Sequence, residues 1–139
     1  MEITANASQL VGLGQNVVFT DTVIPGSCSM IHRSGSGLIS LRGVTNQCRA
    51  RYRVFFGGNI SVPTGGTVEE ISLAISLDGE PVSTTTMIYT PAAVEQFGNV
   101  SSAIFIDVPQ GCCVQVGVRN TSEQAINVQN ANLIIERVA

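Results

Sequence analysis

His32 is the only histidine in the chain, and Cys28, Cys48, Cys112 and Cys113 are its only thiols. Hydrolytic chemistry needs a nucleophile, a base beside it and a group that orients the base. No Ser-Asp or Cys motif of a recognisable hydrolase accompanies His32, so the residue reads as a strand histidine at the mouth of the turn Ser34-Gly35-Ser36-Gly37. Acidic residues stand singly apart from Glu69-Glu70. That offers neither a separated carboxylate pair for glycoside hydrolysis nor an EF-hand calcium loop. A calcium site built across loops from Asp78, Glu80 or Asp107 stays open. The expectation is a protein that is not an enzyme, with no catalytic residue, metal or cofactor.

The cysteines have no CxxC spacing to suggest zinc, and they are too few and too irregular for a secreted disulfide scaffold. Neighbours on a strand point to opposite faces, so Cys112-Cys113 predicts one thiol in the core, acting as a small hydrophobe, and one outside. Cys28 and Cys48 can form a disulfide if the chain between them brings their Cα atoms within about 7 Å.

Arg49, Arg51 and Arg53 alternate with Ala50, Tyr52 and Val54. On a strand this puts three guanidinium groups on one face, where they repel one another and cannot all be buried without partners. Two readings follow. The stripe is a solvated face balanced by Glu69, Glu70 or Glu136, or it is a partner-binding surface suited to bidentate recognition of carboxylates.

The elements that carry these residues read as strands. Helical periodicity is nearly absent, and short β-rich runs are separated by Gly, Pro, Asn and Asp throughout. Expected strands are 17–23, 29–32, 38–42, 49–56 ending at Gly57-Gly58, 71–77, 82–89, 102–108, 114–118 and 132–138. Ile71, Leu73, Ile75 and Leu77 alternate with small residues and should face the core, and Asp78-Gly79 is a hairpin turn. Only 91–96 could form a helical turn, with Pro91 at its first position. Residues 1–15 read as an arm outside a domain of 16–139. Within that arm Ile3, Leu10, Val11 and Leu13 are too apolar for a free tail and are candidate partner-binding residues.

The 139 residues suffice for one domain with its own core. Charged residues make up only 12% of them, about half the usual share, so much of the surface is uncharged, as at subunit interfaces. A net charge of −3 gives no general attraction to nucleic acid or anionic membranes. The first residues lack the basic start and apolar run of a signal peptide, and no stretch approaches the length of a transmembrane helix. Synthesis in a cytoplasm is expected, with neither nucleic acid nor membrane as partner.

Three segments carry a family resemblance. Leu73 to Leu77 followed by Asp78-Gly79-Glu80-Pro81-Val82 is one. Ser102 to Val108, then Pro109-Gln110-Gly111 and Val114-Gln115-Val116, is the second, and Asn130 to Arg137 is the third. Together they resemble the trimeric jelly-roll superfamily of tumour necrosis factor and the globular heads of complement, over roughly Arg49 to Arg137. The strand Arg49 to Val54 is also similar to proteins carried by bacteriophages and prophages. The resemblance implies an all-β jelly-roll β-sandwich that forms a homotrimer. It further implies a virion structural protein, such as a capsid decoration or head-fibre protein, made in the host bacterial cytoplasm and bound to a capsid or other virion protein. The alternative is a receptor- or carbohydrate-binding module of a phage tail or bacterial surface protein. The heads of bacterial collagen-like surface proteins, which the same segments also resemble, follow Gly-X-Y repeats, and this sequence has none.

Overall fold

Alternation between large apolar and small or polar side chains runs through the longest segments, and each such segment is a strand with one face turned inward. The computed structural model describes residues 1–139. Its strands are β1 (Glu2–Ala5), β2 (Gln9–Val11), β3 (Asp21–Ile24), β4 (Met30–His32), β5 (Ile39–Arg42) and β6 (Arg49–Ser61). They continue with β7 (Ile71–Leu77), β8 (Glu80–Pro81), β9 (Met87–Tyr89), β10 (Gly98–Pro109), β11 (Cys113–Asn120) and β12 (Ile126–Arg137). A single 3-10 turn, Ser83–Thr85, is the only helical element, and no helix is long and apolar enough to cross a membrane.

Two antiparallel sheets face each other. The first runs β10-β6-β12-β1-β3, with β2 also on β12, and the second runs β4-β5-β11-β7-β8, with β9 also on β7. Ile3, Tyr52, Val54, Phe56, Leu133 and Ile135 of the first sheet meet Ile39, Leu41, Leu73, Ile75, Val116 and Val118 of the second in one core. Each large side chain buried there stabilises the fold by about 1.5–3 kcal/mol relative to exposure. Phe19 and Phe56 meet edge to face with centroids 6.5 Å apart, a favoured aromatic arrangement.

The supposed arm is part of the sandwich. β1 lies between β12 and β3, pairing Ile3 with Leu133, and β2 pairs Val11 with Ile126. Ile3 and Val11 are core residues, whereas Leu10 and Leu13 are 65% and 63% exposed. Two short strands separated by a turn carry no regular apolar period, which is why the segment reads as a tail.

Other boundaries also moved. The strand expected over 17–23 is confined to Asp21–Ile24, although Val17 and Phe19 are buried beside isolated bridges. β6 continues past Gly57-Gly58 to Ser61, because β12 shifts register between Gln129 and Asn132 opposite these glycines. A Cβ on Gly58 would crowd the Phe56 ring at 3.2 Å, so this glycine marks a close approach within a strand, not its end. Asp78 and Gly79 have φ of 51° and 87°, as a two-residue hairpin requires.

The returning strand expected over 82–89 is broken after Pro81. There Thr85 Oγ1 accepts from the Ile75 amide at 2.9 Å in place of a backbone partner. Residues 91–96 form bends and a turn with no helix.

Candidate functional site

Strands β10, β6 and β12 are long and adjacent, with β10 at the sheet edge, and their alternate residues turn away from the core. Register fixes which of these outward groups lie side by side. Phe105, Arg53 and Glu136 form one row, and Ala103, Phe55 and Ile134 the next. Ser101, Gly57 and Asn132 follow, and then Asn99, Asn59 and Gln129. The face therefore grades from charged through apolar to amide.

At the charged end Arg51 grips Asp107 through both carboxylate oxygens, and Arg49 Nε approaches the same carboxylate at 3.1 Å. The hydrogen bonds from Arg51 hold the Asp107 carboxyl below the usual carboxylate value against the opposing pull of desolvation, and the flanking positive charge adds to the effect. The same bonds raise the Arg51 guanidinium above its ordinary value. Arg53 lies 3.6 Å from Glu136. All three arginines are on the outward face, opposite the fully buried Ala50, Tyr52 and Val54. Glu136 is a partner as expected, whereas Glu69 accepts from Gln124 Nε2 and takes no part. Asp107, the principal partner, lies 56 positions away in the chain, so only the pairing of β6 with β10 identifies it.

In the apolar middle Phe105 is 61% exposed and Phe55 39%. A groove lined by Arg51, Phe105, Asp107 and Val138 opens beside them. At the amide end Asn99 Nδ2 donates to Asn59 Oδ1, and Asn59 Nδ2 donates to Asn130 Oδ1. Nothing on this face sets a nucleophile beside a base. It offers contact area, aromatic anchors and fixed charges.

The remaining candidates are scattered. His32 Nε2 donates to the Ser36 carbonyl at 3.0 Å, at the hairpin mouth where the sequence places it. Asp78 Oδ1 accepts from the Gln115 amide on the second sheet and Asp107 is held by Arg51 on the first, so the cross-loop calcium site is not assembled. No three His, Cys, Asp or Glu side chains are grouped to hold a metal ion.

Cys28 and Cys48 are free thiols, not a disulfide. Cys28 lies in the turn before β4 at the rim of the second sheet, whereas Cys48 leads into β6 of the first. Cys112 and Cys113 are both exposed, against the expectation of one in the core. Cys112 belongs to the tight turn closed by its amide on the Pro109 carbonyl, and the next inward position falls to Val114. Of the arm residues proposed to bind a partner, Ile3 and Val11 are buried and unavailable, while Leu10 and Leu13 remain on the surface.

Asn120 was missed. It is buried, donates to the carbonyls of Val11, Gly12 and Gln124, and accepts from the Ser122 amide. No local signal marks it, because two of its partners lie more than a hundred residues earlier in the chain.

No protein-family profile matches the chain, and no curated protein matches it in sequence. Among solved structures, the globular domain of zebrafish complement 1qA superposes with a TM-score of 0.62 at 13% identity, over 96% of this chain and 93% of that one. Murine APRIL superposes with a TM-score of 0.53 at 10% identity, over 95% and 96%. The two antiparallel sheets and these neighbours define an all-β jelly roll of the tumour necrosis factor and C1q type. At such identities the likeness is one of fold.

Proposed function

We propose that the protein is a non-enzymatic structural module that assembles as a homotrimer through the outer face of the β10-β6-β12 sheet and serves as a bacteriophage virion component, a capsid decoration or head-fibre protein. The observation that carries the assembly is the apolar band of Phe105, Ala103, Phe55 and Ile134 at the centre of that face, while the virion role rests on the sequence resemblance alone. Aromatic residues surrounded by polar groups favour a protein interface, and exposed Phe side chains gain most from being covered. A heterologous contact that closes after three copies satisfies every such face. The low share of charge, the arginine stripe and the sequence resemblance add support.

Light scattering of the purified chain at micromolar concentration tests the assembly. The expected mass is three times 14.6 kDa, falling to a single chain for Phe105→Asp with unchanged circular dichroism. A wild-type monomer overturns the trimer. Mass spectrometry of particles purified after prophage induction in the source bacterium tests the address. Absence of the chain from those particles overturns the virion assignment, and a positive glycan-array screen in its place favours a carbohydrate-binding module.

A further inference from the structure

Charge is sorted along the strands. One end of the sandwich is built by residues 42–49, the β10-β11 turn and the last residues of β12. Hydrogen bonds tie these together: the Gly43 amide donates to the Cys112 carbonyl at 2.8 Å, the Gln110 amide to the Cys48 carbonyl at 3.0 Å, and Arg137 Nη2 to the Val44 carbonyl at 2.6 Å. Arg42, Arg49, Arg51, Arg53 and Arg137 are at this end, with Asp107 and Glu136 as its acids. Arg51 takes Asp107 and Arg53 faces Glu136, so Arg42, Arg49 and Arg137 are left as excess positive charge. Arg42 is exposed, and its side chain is in no ion pair.

The other end has the opposite sign. There the Thr64 amide and hydroxyl donate to Glu95, Asn127 Nδ2 donates to the same carboxylate, and Gln124 Nε2 donates to Glu69. Glu70 and Glu123 complete the group, and no cation is within ion-pair distance of any of the four carboxylates. Glu69, Glu70 and Glu123 line one hollow with Ser72, Thr121 and Ser122 and without any apolar side chain. Arg119 reaches away from it, donating to the Gly79 carbonyl on the flank that also carries Asp78 and Glu80. Glu2, Asp21 and Arg33 are on the opposite flank, beside β3 and β4. Five arginines against two acids leave a side-chain charge of +3 at one end, and four unpaired carboxylates leave −4 at the other. The 13 residues of β6 run from one end to the other, about 40 Å.

At physiological salt a charge is screened within about 8 Å, so neither end relieves the repulsion of the other inside one chain. A foreign acidic partner would neutralise only the arginine end, and a basic one only the glutamate end. A second copy brings both complements in nearly equal amount. We propose that copies of this chain dock end to end, the arginine end of one on the glutamate end of the next, with Arg42 directed at the hollow between Glu70 and Glu123. Arginine suits this contact because its planar fork meets carboxylates in pairs. Joining opposite ends is a heterologous contact that does not close on itself, so it repeats as a linear stack. Exposed pairs of this kind are individually weak, and the stack depends on several of them and on low ionic strength. The contact is apart from the apolar band of the β10-β6-β12 face and forms whether the stacking unit is one chain or three.

Sedimentation velocity of the full chain tests this over a range of micromolar concentrations, at about 10 mM salt and again at about 1 M, where the screening length falls from about 30 Å to about 3 Å. At low salt the average mass should rise with concentration to at least twice that of the unit present at high salt, and the high-salt mass reports on trimerisation separately. Arg42→Glu with Asn46→Glu cancels the charge of one end, and Glu70→Arg with Glu123→Arg cancels that of the other. Each double variant should stay at the mass of the unit. Each also keeps one working end, so mixing the two at low salt should restore association, as capped pairs of units that grow no further. A wild-type mass that is the same at both salts overturns the proposal. So does association that survives in either variant alone, or a mixture that stays unassociated.

Discussion

Arg51 on β6 and Asp107 on β10 are direct register partners, joined by Nε to Oδ1 at 2.7 Å and Nη2 to Oδ2 at 3.1 Å. Two of the three longest strands of the molecule are thus clamped by a bidentate pair on their outer surface, with Arg49 held to the same carboxylate.

This pair has a pH signature. Because the folded state holds the Asp107 carboxyl below its ordinary value, its stabilisation is present above the unfolded carboxylate value and is lost as pH falls through the depressed one. Both side chains are substantially exposed, so the effect is small and screened by salt. Thermal unfolding of wild type and Asp107→Asn should differ at neutral pH and converge in acid. A difference that persists unchanged far into the acid range would falsify the assignment.

Deleting residues 1–11 should abolish folding. The cut removes Ile3, Ala5 and Val11 from the core and strips β12 of its neighbours β1 and β2. The milder Ile3→Ala should cost about 2–5 kcal/mol in urea unfolding, as for other large-to-small core changes. A truncated chain with native circular dichroism would show that the segment is dispensable.

Ile75→Asp should prevent folding, because it places an unpaired carboxylate in the core where Ile75 is fully buried. The neighbouring Leu77, only partly buried, should tolerate Ala with a smaller loss. Expression as soluble protein with a cooperative melt, compared across both variants, decides the matter.

Asn120→Ala should destabilise by about 1–3 kcal/mol, because the carbonyls of Val11, Gly12 and Gln124 and the amide of Ser122 lose their partner. Amide hydrogen exchange should quicken first around residues 9–14. Uniform exchange with unaltered stability would mean that water replaces the side chain without cost.

The all-β class and the inward faces of β6 and β7 were legible because strict alternation has a single physical meaning once one face is buried. The Asp78-Gly79 turn was legible because both residues take positive φ. What escaped is non-local. Residues 1–15 looked like a tail because β1 and β2 are short and gain their order from β12. Asp107 could not be matched to the arginine stripe without the register of β10. The glycine pair 57–58 looked like a stop because glycine ends strands more often than it admits a close neighbour. Cys112 and Cys113 failed for a related reason, since alternation applies within a strand and Cys112 precedes one.

The position of β1 between β3 and β12 also sets a timetable. Glu2 emerges from the ribosome long before its hydrogen-bond partner Asn132, which lies 130 positions later. At ordinary elongation rates the N-terminal strand waits on the order of ten seconds for its principal neighbour. β5 likewise waits for β11, and β6 for β10 and β12. Little of either sheet can therefore close during synthesis, and folding should be slow, as in other proteins dominated by distant pairings. Through that interval β6 presents unpaired edges and apolar side chains to its surroundings. Yield in a recombinant host should accordingly rise at low temperature or with added chaperone capacity.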